Sequence, residues 1–317
     1  MAATMKAFGL ADEQATAGVL ELPVPEPGPG EVRVRVHAST VNGFDAFVAS
    51  GMARGVMEHR YPVVVGKDFS GTVDVVGEGV DAFAAGDEVT GISPPSVTVD
   101  AVGAYAEFVV VPATGYIAAK PAALDHEHAA SVGLAALTGL VAVNAVSPAA
   151  GSTVLIVGAT GGVGAYAVQL ASARGANVIA TALPDDETWI RGLGAIETVD
   201  YSGDVVAQVH EAHPDGVDAL IIAVQVGDGF DSLAGLVRDR GAIASAVGGP
   251  DDVGRGISVA SVFGQSDPAP YAEVVRLAAE GSLTVPLTKT YTFDQLHEAL
   301  GLVGKRSSRG KVAITIP

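Results

Sequence analysis

The stretch Gly158-Ala159-Thr160-Gly161-Gly162-Val163-Gly164 constrains this chain more than any other. It follows the apolar run Thr153-Val154-Leu155-Ile156-Val157 and leads into a helical pattern from Ala165 to Arg174. A buried strand that turns on glycines into a helix presents backbone N–H groups and a positive helix end to a pyrophosphate. Gly158 and Gly161 let the turn close, Gly162 lets phosphate reach the backbone, and Gly164 lets helix and strand pack closely. Gly175 then caps the helix, and Asn177-Val178-Ile179-Ala180-Thr181 supplies a second apolar strand, completing a βαβ unit. A glycine-rich loop alone is weak evidence in a chain with 40 glycines, but this flanking context points to a dinucleotide site.

At 317 residues the chain is long enough for two domains with separate cores. The residues before Asp125 read as short strands bounded by Gly, Pro and Asp: Met5 to Phe8, Glu31 to His37, Gly71 to Val76, Glu88 to Gly91 and Glu107 to Val111. From Asp125 strands and helices alternate. A helix is expected from Glu127 to Asn144, helices at Asp204 to Ala212 and Phe230 to Arg238, and strands at Ala195 to Asp200, Val217 to Val224 and Gly241 to Val247. This order predicts an α/β fold with a doubly wound parallel Rossmann sheet over 125–263. A β-rich domain would take 1–124 and 264–317, with helices at Tyr271 to Glu280 and Phe293 to Val303 and a last strand at Lys311 to Ile316 closing back on it.

The formal charge of −18 and the lack of any basic run argue against a nucleic-acid partner. With no cysteine, disulfides, thiolate catalysis and cysteine-ligated zinc are all excluded. His126 and His128 are two apart on a helical stretch and point to different sides, so they make no metal pair. The apolar stretch Ala129 to Val146 is rich in small residues and interrupted by Ser131, Thr138 and Asn144, which favours a buried helix over a membrane span. With no signal-peptide pattern at Met1 to Lys6, the expected location is cytoplasmic.

Several motifs, in order, carry a resemblance that runs from end to end. They are Pro25-Glu26-Pro27-Gly28-Pro29-Gly30-Glu31-Val32, Asn42 with Asp45, Val65-Gly66-Lys67-Asp68-Phe69-Ser70-Gly71, Gly86-Asp87-Glu88-Val89, Gly103-Ala104-Tyr105-Ala106-Glu107-Phe108 and Arg309-Gly310-Lys311-Val312. With these the chain resembles the medium-chain dehydrogenase/reductase superfamily, in its zinc-free, quinone-oxidoreductase or zeta-crystallin-like branch. The resemblance implies a GroES-like catalytic domain, a Rossmann nucleotide-binding domain and an active site in the cleft between them. It also implies hydride transfer from a nicotinamide coenzyme to a small molecule, a quinone or an α,β-unsaturated carbonyl. Two alternatives stand beside it: a reductase of a specialised enoyl thioester or polyketide-like intermediate, and a nucleotide-binding sensor without catalysis. Relatives often pair Rossmann edge strands, so a homodimer through Gly256 to Val262 is expected.

Zinc-dependent relatives hold the metal through a cysteine, the histidine of a Gly-His-Glu motif and a later cysteine. Matching motifs place Asn42, Lys67 and Leu134 there, and none of these suits zinc. Something else must stabilise the charge that develops on the substrate oxygen. The candidates are Lys67 as the cation, Asn42 as an amide donor to substrate or ribose, and Thr138 on the helix that lines the nicotinamide pocket in the family. For Lys67 a salt bridge to Asp45 or Asp68 is the competing structural reading; for Asn42 it is a turn role beside Gly43. Many relatives carry a tyrosine proton donor after the Asn-x-x-Asp motif, where this chain has Phe47 and Met52-Ala53, leaving water as a proton source.

The coenzyme is expected to contact Gly158, Thr160, Gly161, Gly162, Val163 and Gly164, with Thr181 and Tyr201 near the adenosine end. Val224, Val247 and Phe263 would wall the nicotinamide, and Lys311 would approach it or stand in solvent. NADPH is favoured over NADH because Thr181 replaces the acid that usually holds a ribose 2′-OH. Asp185, Asp186 and Glu187 oppose that choice, and Arg191 would have to reach back.

Overall fold

A computed structural model describes residues 3–94, 98–262, 267–305 and 309–317. The chain divides into two compact units, Met1–Leu134 with Ser266–Pro317, and Ala135–Gln265.

In the first unit, alternation builds the sheet. The strand Glu31–Thr40 buries Val32, Val34 and Val36 while Arg33 and His37 stay only half-buried and Arg35 is exposed, as a period of two requires. Each valine removed from water contributes roughly 1.5–3 kcal/mol. This strand pairs antiparallel with Asp68–Val76 on one side and Lys311–Thr315 on the other, and also with Phe108–Pro112. Glu88–Ile92 and Ile117–Ala119 extend the sheet at one end, and Leu287–Thr292, parallel to Lys311–Thr315, ends it at the other. A smaller sheet joins Thr4–Leu10 to Gly18–Pro23 and to Val63–Val64. The strands Gly18–Pro23 and Leu287–Thr292 escape a reading of the sequence because neither buries more than one side chain fully.

The second unit is a six-stranded, wholly parallel sheet. From edge to edge it runs Glu197–Val199, Asn177–Thr181, Thr153–Val157, Val217–Ile222, Val237–Ser245 and Ser258–Ser261. Its central strands are buried on both faces, which accounts for their unbroken apolar runs. The helix Gly162–Ala173 joins Thr153–Val157 to Asn177–Thr181 and ends where Gly175, at φ +79°, donates its N–H to the Ser172 carbonyl.

Three expected helices differ, and the one expected from Phe293 to Val303 is a single 3₁₀ turn, Phe293–Gln295, followed by the short helix Leu296–Leu300. The stretch expected as one helix from Glu127 to Asn144 is two, His126–Ser131 and Leu134–Val146. The break falls at Gly133, where a Cβ would lie 2.2 Å from the Asp68 carboxylate, and that carboxylate accepts the Leu134 N–H at 2.7 Å. A carboxylate thus satisfies a donor that opens the new helix. The helix expected from Phe230 to Arg238 stops at Ala234, capped by Gly235, and Val237 already belongs to the next strand.

Candidate active site

The site in the first unit grows from Asn42. It sits where the strand Glu31–Thr40 ends and the helix Gly43–Ala49 begins, as the helix N-cap. Asp45, three residues on, returns its carboxylate to the Asn42 N–H at 2.9 Å, which fixes the turn. The Asn42 amide donates to Asp45 Oδ2 at 3.1 Å and to Asp68 Oδ2 at 2.9 Å, and its oxygen accepts from Lys311 Nζ at 2.7 Å. Both amide hydrogens are therefore taken inside the protein. The expected role of Asn42 as a donor to substrate gives way to one of holding two carboxylates and an ammonium together.

Asp68 is fully buried and accepts from Thr40, Asn42, Leu134 and Lys311. Lys311 is 2% exposed and spends its donors on Val41 O at 3.1 Å, Asn42 Oδ1 at 2.7 Å and Asp68 Oδ2 at 3.3 Å. This corrects the expectation of a solvent-facing or nucleotide-contacting lysine: with three donors used, none is left over. It also corrects the structural reading of Lys67, because the ammonium paired with Asp68 is that of Lys311.

Lys67 lies beside this network rather than in it. Its Nζ donates to the Pro94 carbonyl at 3.0 Å and stands 5.4 Å from the centre of the Phe44 ring. Burial lowers its pKa from the usual lysine range, partly offset by Asp45, Asp100 and Asp68. With Asp45, Phe44, Val48, Asp100 and Val102 it lines a cavity of about 240 Å³. A cation with unspent donors in such a pocket can stabilise a developing oxyanion.

Asp45 is the residue that reading the sequence undervalued. Only 1% exposed, it uses Oδ2 to accept from Asn42 and, at 3.3 Å, from the Tyr105 hydroxyl, while Oδ1 is buried with no partner. Burial pushes its pKa up to about 7, and the neighbouring Asp68 charge adds to the rise against the pull of Lys311 and Asn42. The same surroundings hold Tyr105 well above its usual value, burial first and the Asp45 charge second. The Asn42-x-x-Asp45 spacing was a visible capping signal, but nothing in the sequence places Lys311 beside it.

The second unit holds the glycine loop. Gly158 has φ +81°, Gly161 is the N-cap of Gly162–Ala173, and a Cβ on Gly164 would lie 2.2 Å from the Gly158 carbonyl. Only glycine permits that approach. The first-turn N–H groups of Gly162, Val163 and Gly164 have no carbonyl within the helix to donate to, so the loop fits a pyrophosphate. Thr160 is buried in the turn, and Val224 packs against Gly158 with 42% of its surface exposed. Thr181, 1% exposed, accepts the Gly158 N–H at 2.9 Å, so it braces the loop from the neighbouring strand. Tyr201 is half-buried in the turn after Glu197–Val199, and Val247 follows Val237–Ser245 with its N–H on Ser245 Oγ at 3.3 Å. Thr138 is half-buried on the helix Leu134–Val146, and Phe263 lies outside the described residues.

Comparison with known proteins agrees with this architecture. Residues 28–122 match the alcohol dehydrogenase GroES-like domain family and residues 162–279 the zinc-binding dehydrogenase family. The chain is 30% identical over 326 residues to the mitochondrial NAD(P)H oxidoreductase RTN4IP1 of Bos taurus, covering 89% of this chain and 80% of that protein. It is 30% identical over 241 residues to the chloroplast envelope quinone oxidoreductase homolog of Arabidopsis thaliana, covering 73% and 70% of the two. The quinone oxidoreductase from Coxiella burnetii has the same fold, with a TM-score of 0.85 at 25% identity over 99% of this chain and 100% of that one. The chain therefore belongs to the medium-chain dehydrogenase/reductase superfamily, as an NAD(P)H-dependent oxidoreductase of its quinone-oxidoreductase branch.

Proposed function

We propose that this protein reduces a quinone or an α,β-unsaturated carbonyl by hydride transfer without zinc. The observation that carries this is the Lys67 ammonium in the cavity it shares with Asp45, at a position where zinc-dependent relatives place a metal ligand. The donor set does not fit zinc. Asn42 is engaged at both ends of its amide, Lys67 offers an ammonium and Leu134 a backbone N–H already given to Asp68. Among the described residues no group of three His, Cys, Asp or Glu is placed to hold a metal.

A nicotinamide coenzyme, held at its pyrophosphate by the loop Gly158–Gly164, supplies the hydride. Lys67 orients the substrate carbonyl and stabilises negative charge on its oxygen, while the apolar wall of Phe44, Val48 and Val102 excludes water. The NADPH expectation loses two supports. The Thr181 hydroxyl is committed to Gly158, and Arg191 is tied to Glu187 and the Ile196 carbonyl, while Asp185 stands exposed after the strand. NADH is therefore the coenzyme this geometry favours. The edge strand Ser258–Ser261 is the proposed seam of a cytoplasmic homodimer.

The test is coenzyme oxidation, with a chelator present, against a quinone, a simple enone and an enoyl thioester, with NADH and NADPH compared. Turnover of the quinone or enone is expected, with tighter binding of NADH. Lys67→Ala should lower kcat on the order of 100-fold while leaving coenzyme affinity within about twofold. Coenzyme binding with no turnover of any substrate would point instead to a sensor, and turnover of the thioester alone to a specialised reductase.

A further inference from the structure

Three carboxylates act on the Lys67 ammonium, those of Asp45, Asp100 and Asp68, and they differ in what they can meet. Asp68 is fully buried with four donors, and Asp45 is 1% exposed, so neither offers an oxygen to an occupant of the cavity. Asp100 is half-buried and lines the cavity together with Lys67. Its Oδ1 accepts the Val102 N–H at 2.9 Å. Its Oδ2 has no partner among the described residues and, unlike Asp45 Oδ1, keeps open surface.

The backbone fixes Asp100 where it stands. Val64 donates its N–H to the Asp100 carbonyl at 2.8 Å, and the run from Val64 to Lys67 lines the cavity. Just before Asp100, Thr98–Val99 pairs with Glu58–His59, and Arg60 donates its N–H to the Val99 carbonyl at 2.9 Å. The same cavity therefore offers an ammonium with unspent donors and a carboxylate oxygen with no donor, while Phe44, Val48 and Val102 are apolar. An occupant that covers such an oxygen without bringing a hydrogen to it loses the water that solvated it. The volume of about 240 Å³ lies below the roughly 300–1,000 Å³ of sites for drug-sized ligands, which suits a single small ring.

We infer that Asp100 is a specificity-determining residue, which accepts the hydroxyl of a small, uncharged α,β-unsaturated ketone whose carbonyl rests on Lys67. This rests on the reductase reading above, and of the two acceptors named there it favours the unsaturated carbonyl. Lys67 takes the carbonyl oxygen, which has only lone pairs to offer, and Asp100 takes an O–H, which a simple quinone lacks. The hydroxyl is that of an alcohol, because an acidic one would ionise and be repelled by the carboxylate. For the same reason a substrate that carries a carboxylate or phosphate is refused.

The experiment compares substrates built on one ring: cyclohexenone, its γ-hydroxy derivative and its γ-carboxylate derivative. In the natural protein kcat/KM should be highest for the hydroxy ketone, on the order of 10-fold above cyclohexenone, and lowest for the carboxylate. Asp100→Ala should bring the ratio of hydroxy to plain ketone to about one. Reading a ratio cancels any change in Lys67, on which both ketones depend equally. Asp100→Asn keeps an acceptor oxygen and the Val102 bond but loses the charge. It should retain part of the hydroxyl preference and gain on the order of 10-fold for the carboxylate. If Asp100→Ala does not fold, this second variant carries the test. Equal kcat/KM for the two neutral ketones in the natural protein, an unchanged ratio in Asp100→Ala, or no gain for the carboxylate in Asp100→Asn would overturn the assignment. Calorimetric binding of the corresponding saturated ketones reads the selection without turnover. A hydroxyl preference in binding that Asp100→Ala abolishes, with no enone reduced, would refute the reductase reading and leave the assignment of Asp100 in place.

Discussion

Lys311 shows how much one side chain carries in this fold. It is the only cation bonded to the buried Asp68 among the described residues, and it draws together Val41, Asn42 and Asp68 from points far apart in sequence. Lys311→Met keeps the volume but leaves Asp68 buried without its counter-charge, which costs on the order of 3–5 kcal/mol. Chemical denaturation should show that loss, and Lys311→Arg should recover part of it. The local pattern Arg309-Gly310-Lys311-Val312 marks Lys311 as part of a motif but not as buried, because burial depends on which strands flank it. The motif around Lys67 was legible in the sequence; that Lys311 and not Lys67 pairs with Asp68 was not, since two lysines compete for that carboxylate and only their placement separates them.

At the scale of elements, the helix His126–Ser131 is fastened to the sheet by a pair of imidazoles. His37 on the strand Glu31–Thr40 has its ring centre 4.6 Å from that of His126, the planes tilted by 55°, and bonds Thr72 Oγ1 at 2.9 Å. His126 bonds Ser70 Oγ at 2.9 Å and approaches Glu88 at 3.3 Å. Burial lowers the pKa of both below 6.5, and for His37 the charges of His126 and Arg35 add to the effect, with Glu88 opposing in each case. A depressed histidine contributes stability that is full above the unfolded pKa. It is lost as pH falls from about 6.5 toward the folded values, because the unfolded chain takes up protons first. Thermal melts should therefore lose Tm between about pH 7 and pH 5, and His126→Gln should flatten that slope. Sequence periodicity found helical character here but ran two helices together. The Asp68 carboxylate that breaks them comes from a strand more than sixty residues earlier, which no local window contains.

For the whole molecule, the order of strands decides which parts depend on which. Lys311–Thr315 lies between Glu31–Thr40 and Leu287–Thr292, so the C-terminal residues complete the sheet of the first unit. The second unit, Ala135–Gln265, is continuous in sequence and has its own core of Leu155, Ile179, Leu220 and Ile243. Truncation before Lys311 should abolish folding of the first unit and leave a protease-resistant fragment close to Ala135–Gln265, identified by mass spectrometry. By itself, the sequence determined the βαβ unit around Gly158–Gly164, the parallel sheet and the strand alternation at Glu31–Thr40, because these follow from backbone limits on glycine and from periodicities of a few residues. Only the tertiary structure decided that Thr181 braces the loop, that Lys311 is buried on Asp68 and that Asp45 is buried beside them with one carboxylate oxygen unpartnered. Those depend on which distant strands become neighbours, and a charge buried among them takes its partner and its proton from that packing.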